Sequence, residues 1–415
     1  MNEVERPDEL PEDGFHGRKV LTIVGGHFTH DTYSAFLAPL LPLLIEKLSL
    51  TLTLAGTLTA FMQAPALLNP LIGRLADKSN ARYFVVFAPA VTGTLMSTMG
   101  LMPNYYVLAI LLVVTGFSVA AFHVPAPAMV ARASGKRVGK AMGWFMAGGE
   151  LGRTLGPIIA VWAVTTWTLE GMFRVAVIGW LVSAILFWRL RDVPAKDSKK
   201  AAYNLLPQMW AVFLPLGIII LFRSFMTVSM TTYLPTFVNM KDAEVWLGGT
   251  LFAVLQNLGM DMANVSLWLG GGALFFMEAA GVAGALLSGA VSDRIGRKTV
   301  FFVSSILSPI LMLGFLRFHG WMLVPMLLLL GLTSLSIGPV FLALIQDHFS
   351  QHRAAANGVF MLLSFLSRSL GMVLVGFVGD QVGLEKAFLW SALIAFLVLP
   401  GVFMLPGRVQ GQLNP

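Results

Sequence analysis

The sequence has no cysteine and little charge: Asp, Glu, Lys and Arg are 12% of its 415 residues, where soluble domains carry about 25%. The first absence excludes disulfides, thiolate nucleophiles and cysteine-ligated metals. The second argues against a soluble fold. Apolar residues reach 56%, and a soluble chain of this length has no single core large enough to hide them. No P-loop is present, so ATP-driven work is not expected. Ser34, Ser118 and the histidines form no nucleophile–base–acid set. The seven histidines are too scattered along the chain for metal-ligand spacing. The expectation is therefore a protein that is not an enzyme and holds no metal or cofactor.

What the chain does contain is a succession of apolar stretches long enough to cross a hydrocarbon core of about 30 Å. They fall near residues 20–45, 53–76, 83–101, 105–131, 139–166, 170–190, 207–238, 265–291, 299–316, 321–346, 354–379 and 384–406. The predicted fold class is an all-α membrane protein of about twelve transmembrane helices in two six-helix bundles. An acidic segment with Glu3, Glu5, Asp8, Glu9, Glu12 and Asp13 starts the chain and is unlike the basic start of a signal peptide. The expected organisation is an acidic cytoplasmic tail over 1–19, a bundle over 20–191, a polar linker over 192–206, a second bundle over 207–406 and a tail over 407–415. With the N-terminus inside, twenty of the 28 basic residues fall on the cytoplasmic side and five outside, the bias of an even number of spans with both termini inside. The net charge of +7 thus reads as membrane topology, not as nucleic-acid binding.

The halves look duplicated. Gly73, Asp77 and Lys78 recur as Gly289, Asp293 and Arg294 at an offset of 216, and Arg153 and Gly156 recur as Arg368 and Gly371 at an offset of 215. A parallel repeat of this kind places a substrate site near the midplane between halves. The segment from Met240 to Asn264 breaks the symmetry; Trp246, Leu247, Leu251, Phe252, Leu255 and Leu258 suit an interfacial helix.

The run Gly289-Ala-Val-Ser-Asp293-Arg294-Ile-Gly296-Arg297-Lys298 resembles the cytoplasmic loop G-x-x-x-D-R-x-G-R-R/K of the major facilitator superfamily. The first half departs from it, with Lys78 for the arginine and Asn80 for the glycine. The resemblance implies the superfamily's fold and a gating role for Asp77 and Arg82 and for Asp293, Arg294 and Arg297. Gly143, Gly152, Gly156 and Pro157 resemble the superfamily's antiporter motif, whose closing glycine pair is here Ala160-Val161. Physically, Gly148, Gly152, Gly156 and Ala160 form one stripe on which another helix backbone can close, and Pro157 removes a helix hydrogen bond.

Charge inside a membrane costs several kcal/mol and marks function by default. Asp31, Glu150, Arg153, Arg223, Glu278 and Arg368 fall mid-span. His27 and Asp31 are four apart and share a helix face, with His30 beside them. They are proton-coupling candidates with Glu150 and Glu278; a static His–Asp bond between helices is the other reading. Arg153, Arg223 and Arg368, with His123, suit an anionic or zwitterionic substrate; internal pairing with the mid-span acids is the alternative. The Phe122-His123-Val124-Pro125 segment and the Gly148-Gly149 to Gly156-Pro157 helix are similar to the fosmidomycin resistance group within the superfamily. That resemblance implies proton-driven export of a small phosphonate-like compound. The expected protein is a monomeric secondary transporter in the lipid bilayer of a bacterial inner membrane. Its partners are protons and a small, anionic molecule, with no nucleic acid. Uptake by proton symport and a non-transporting receptor or scaffold are the alternatives.

Overall fold

A computed structural model describes residues 14–69, 71–72, 82–191, 210–241, 243–348 and 353–405. The acidic start, the linker, the tail after 405 and Asp77 lie outside the described residues. Among the described residues there is no strand. Helix is the one conformation that satisfies every backbone polar group within a single membrane-crossing segment.

The helices up to the linker are α1 (Gly17–Ser34), α2 (Leu37–Leu48), α3 (Leu52–Gln63), α4 (Arg82–Ser97), α5 (Tyr105–His123), α6 (Ala126–Ala133), α7 (Val138–Gly171) and α8 (Ala176–Arg189). Those after it are α9 (Trp210–Val228), α10 (Leu234–Asn239), α11 (Ala243–Leu247), α12 (Gly249–Asn257), α13 (Met262–Ile295), α14 (Arg297–Phe315), α15 (Leu323–Leu330), α16 (Gly338–His348), α17 (Arg353–Val382), α18 (Leu384–Ala395) and α19 (Val398–Met404). Their ends have local causes. Asn104 accepts from Val107 N at 3.1 Å to start α5, and Asp261 accepts from Ala263 N at 3.0 Å to start α13, each satisfying a backbone N–H the helix cannot. Gly296 turns the chain between α13 and α14 at φ 93°, a conformation open to glycine at no steric cost.

Among the described residues nine stretches are long and apolar enough to cross a membrane. One of them, 140–189, runs 50 residues and contains two of the expected spans, parted where Thr168 takes φ 64°. The outward faces are apolar: Leu286 and Trp321 are each 77% exposed, an arrangement that lipid tolerates and water does not. The segment 243–257 forms α11 and α12, and α12 buries none of its side chains.

The chain divides into two compact units, one of residues 1–37 and 61–199, the other of 38–60 and 200–415. Residues 38–60, which the repeat assigns to the first six spans, thus pack with the second unit. The first has a core built around Val20, Ile23, Phe122, Met129, Phe145 and Leu186. The second is built around Phe213, Leu216, Phe301, Phe341, Ile345 and Val402. Within the second unit Asp380 caps α3: its carboxylate accepts from Leu52 N at 2.6 Å, Thr53 N at 2.8 Å and Thr53 Oγ1 at 2.5 Å. A negative charge on the N-terminus of a helix is favourable twice over, as acceptor and as countercharge to the dipole. Asp380→Asn keeps the shape but loses the charge and turns one of the two accepting oxygens into an NH₂, so it should cost about 1–2 kcal/mol. Thermal unfolding of the detergent-solubilised protein checks this; an unchanged midpoint contradicts it.

Candidate functional site

The site is built on a close helix pair. In α7 a Cβ on Gly148 would lie 2.7 Å from Val24 Cγ1, one on Gly152 would press on Phe28 O, and one on Gly156 would lie 2.7 Å from Thr32 O. Residues 24, 28 and 32 are successive turns of α1, so the small-residue stripe read from the sequence admits α1 backbone to backbone. Gly143 makes no such contact with α1: among the described residues nothing stands within 4 Å of its would-be Cβ. This contact sets His27 and Asp31 against α7. The third member comes from α5, which ends at His123, two residues before Pro125.

Three side chains converge there. His27 Nε2 is 3.3 Å from Asp31 Oδ2, His123 Nε2 is 3.3 Å from Asp31 Oδ1, and the two Nε2 atoms are 3.2 Å apart. The far nitrogens are both tied to backbone. His27 Nδ1 is 2.8 Å from Phe145 O, and His123 Nδ1 is 2.9 Å from Val119 O. A carbonyl only accepts, so each Nδ1 carries the proton, and in a neutral ring each Nε2 is then a bare lone pair. Two such lone pairs and a carboxylate facing one another are three acceptors with no donor. The arrangement is electrostatically incomplete until a cation joins it. Asp31 Oδ1 is buried with no aligned hydrogen bond among the described residues. His27 is held in place by stacking on Phe145, centroids 4.0 Å apart at 20°.

His30 is placed differently from its neighbours in sequence. It is fully buried and stacked on Phe122 at 4.6 Å, and neither ring nitrogen makes an aligned hydrogen bond among the described residues. It lines the cluster, with its ring 5.5 Å from that of His123, without joining it. His123, grouped in the sequence with the substrate-facing arginines, is instead a direct partner of Asp31. Gly149, named in the sequence only as part of the Gly148-Gly149 pair, has a role there that the sequence does not show. A Cβ there would strike the His27 ring and lie 3.0 Å from Asp31 Oδ2. No helical spacing shows this, because α5 and α7 meet α1 only in the fold.

Glu150 and Arg153 pair with each other on adjacent turns of α7, with the arginine side chain 48% exposed. In the second unit Arg223 on α9 is buried. It donates to Ser304 Oγ at 3.3 Å and to the carbonyls of Thr333 and Ser334. These carbonyls lie in the π-helical turn Gly331–Leu335, a local rewinding of the helix of the kind found at functional sites. Among the described residues no carboxylate pairs with Arg223. The register of the two units relates it to Asp31: Gly156 meets Thr32 O, and Gly371 on α17 meets Ser224 O at 3.5 Å. Residues 31 and 223, each one place earlier on α1 and α9, therefore occupy equivalent positions with opposite charge. Glu278 lies on α13, half-buried, and Arg368 on α17, exposed.

A family model for the Major Facilitator Superfamily matches residues 23–271 and 246–414. The chain belongs to the major facilitator superfamily. Superfamily relatives with curated names include the fosmidomycin resistance protein of Escherichia coli, 26% identical over 401 residues that cover 92% of this chain and 91% of that one. An uncharacterized MFS-type transporter of Bacillus subtilis is 25% identical over 408 residues, covering 93% and 92%. Among solved structures, a mutant of the nucleoside transporter NupG matches with TM-score 0.73 at 15% identity, covering 94% of this chain and 100% of that one. A bacterial homolog of the human lysosomal transporter Spinster, inward-facing and occupied, matches with TM-score 0.72 at 13% identity, covering 94% and 96%. The superfamily fold and membrane insertion follow from these matches. In the superfamily loop of the second half, Asp293 pairs with Arg297 at 2.5 Å, and Arg297 also bonds Ser292 Oγ. Lys298 Nζ donates to Phe403 O at 2.8 Å and ties the start of α14 to the end of α19. Arg294 is exposed on the last turn of α13. Arg82 opens α4, donates to Arg191 O and lies over the Tyr83 ring at 4.8 Å.

Proposed function

We propose that this superfamily member is a proton-coupled secondary transporter that exports a small anionic or zwitterionic compound of the fosmidomycin kind from a bacterial cell in exchange for protons. The observation that carries the coupling is the convergence of His27 Nε2, His123 Nε2 and Asp31 at 3.2–3.3 Å. One added proton turns three mutually repelling acceptors into a hydrogen-bonded imidazolium–carboxylate cluster; its removal restores the repulsion. A site whose local packing energy changes sign with one proton is a two-state element that a proton gradient can bias.

The substrate class is supported by Arg153, one turn along α7 from Gly149, and by Arg223, a buried guanidinium among neutral acceptors. A guanidinium binds phosphonate, phosphate or carboxylate oxygens in paired geometry. The likeness to the fosmidomycin resistance protein supports export of such a compound. Uptake by symport uses the same cluster with the opposite sense of flux.

The test is proton movement in proteoliposomes reported by an internal pH dye, with fosmidomycin and a panel of small organic anions added outside. Antiport predicts substrate-dependent proton movement opposite in direction to the substrate, and symport predicts the same direction. A panel that moves no protons, with folded protein in the vesicles, removes the coupling reading.

A further inference from the structure

The Asp31 cluster has the dimensions of a second kind of cation site. In a tetrahedral zinc-type centre, bonds of about 2.0–2.1 Å to imidazole nitrogen and carboxylate oxygen place the ligand atoms about 3.3 Å from one another. The three separations here are 3.3, 3.3 and 3.2 Å. We propose that His27 Nε2, His123 Nε2 and Asp31 bind one divalent first-row transition ion of the zinc class, which takes the place of the proton and blocks transport.

Four features point the same way. Both imidazoles direct Nε2 inward and donate Nδ1–H to a backbone carbonyl, Phe145 O in one case and Val119 O in the other. That outer hydrogen bond is what fixes the tautomer and orientation of a metal-bound histidine. Asp31 Oδ1 is buried and accepts no aligned hydrogen bond among the described residues, with His123 Nε2 3.3 Å away, so a carboxylate lone pair is available at the focus. The side chains of His27 and Asp31 are 4% and 6% exposed whereas that of His123 is 38% exposed. His123 is therefore the member of the cluster nearest the surface. The donor set also selects the metal. Two imidazoles and one carboxylate suit zinc, cobalt or nickel, whereas calcium and magnesium want oxygen throughout and copper(I) wants thiolate or thioether. The sequence hides this site because His27 and Asp31 come from α1 and His123 lies 96 residues further on.

The experiment uses the full chain, purified without a polyhistidine tag and titrated with Co²⁺ as a spectroscopic stand-in for Zn²⁺. The chain has no cysteine, so any saturable four-coordinate cobalt spectrum arises from histidine and carboxylate. The expected result is one equivalent of Co²⁺ with intense visible absorption, displaced by one equivalent of Zn²⁺. Affinity should fall at least about tenfold in His123→Gln and in Asp31→Asn and stay unchanged in His348→Gln. His348 lies on α16 and is bonded to its own helix through Leu344 O. A weak six-coordinate spectrum, no saturation, or binding retained in His123→Gln and Asp31→Asn overturns the proposal. Should a variant fail to purify, the wild-type spectrum and stoichiometry decide alone. Zn²⁺ is then added to the proton-flux assay, where it should stop flux at one equivalent per protein; flux that continues with the site filled overturns the block. Metal binding needs no transported compound, so loss of the coupling reading and loss of the metal site are separately visible.

Discussion

Asp31→Asn should reduce substrate-driven proton flux to the leak of empty vesicles, a loss of about a hundredfold or more, equivalent to about 2.7 kcal/mol. Asparagine keeps the volume of aspartate, so the contact of α1 with α7 and the stacking of His27 on Phe145 have no steric reason to change. What changes is the chemistry at the focus. The carboxylate that holds a proton on His27 or His123 becomes a neutral amide, and its NH₂ donates to an imidazole lone pair whether or not a proton is bound. The cluster then has one state instead of two. Exchange of labelled substrate across the membrane at equal pH on both sides needs the substrate site and the rocking motion but no net proton movement. It should persist in Asp31→Asn. The pair of results separates coupling from folding: flux lost with exchange kept identifies the coupling carboxylate. Loss of both would make Asp31 a structural tie, and retention of proton flux would dismiss it from the mechanism.

The sequence and the fold differ in what each makes legible. Composition and the spacing of apolar runs are properties of single segments, and a membrane forces each segment to solve its backbone problem alone. The helical class could therefore be read directly, and nine stretches long and apolar enough to cross a membrane stand among the described residues. The spacing of Gly148, Gly152 and Gly156 also announced a close helix contact, though not its partner; that the stripe meets Val24, Phe28 and Thr32 of α1 is a property of two segments together. The same limit explains His123. Nothing in helical periodicity joins residue 123 to residue 31, and a histidine before a proline reads equally well as a cavity residue. Arg223 shows the limit in another form. Its charge inside an apolar run was visible, while the neutral carbonyls and hydroxyl that receive it come from α14 and from a π-helical turn that no local signal marked. The opposite charges at the equivalent positions 31 and 223 emerge only when the glycine contacts of both units are laid side by side.

Gly149→Ala carries the second large effect, since it tests whether the geometry of the cluster, and not its composition alone, performs the work. A methyl group at 149 would overlap Cε1 and Nε2 of His27 and approach Asp31 Oδ2 to 3.0 Å. His27 is held on two flanks: its ring lies on Phe145, its Nδ1 is bonded to Phe145 O, and the Phe122 ring packs beside it at 5.5 Å. Relief must come from α7 moving off α1 or from the imidazole leaving its rotamer, and overpacking of this kind costs about 1–3 kcal/mol. Either movement pulls Nε2 out of a triangle with sides of 3.2–3.3 Å. Proton flux should drop at least about tenfold, since a displacement of about 1 Å at a reacting group is worth that much or more. Gly143→Ala supplies the contrast on the same helix. Among the described residues no atom stands within 4 Å of its would-be Cβ, and alanine is favoured over glycine inside a helix by about 1 kcal/mol. It should leave flux unchanged and hold or raise the unfolding midpoint. Wild-type flux and stability in Gly149→Ala would mean that α1 and α7 do not meet as closely as the glycine stripe requires, and the coupling cluster would fall with that contact.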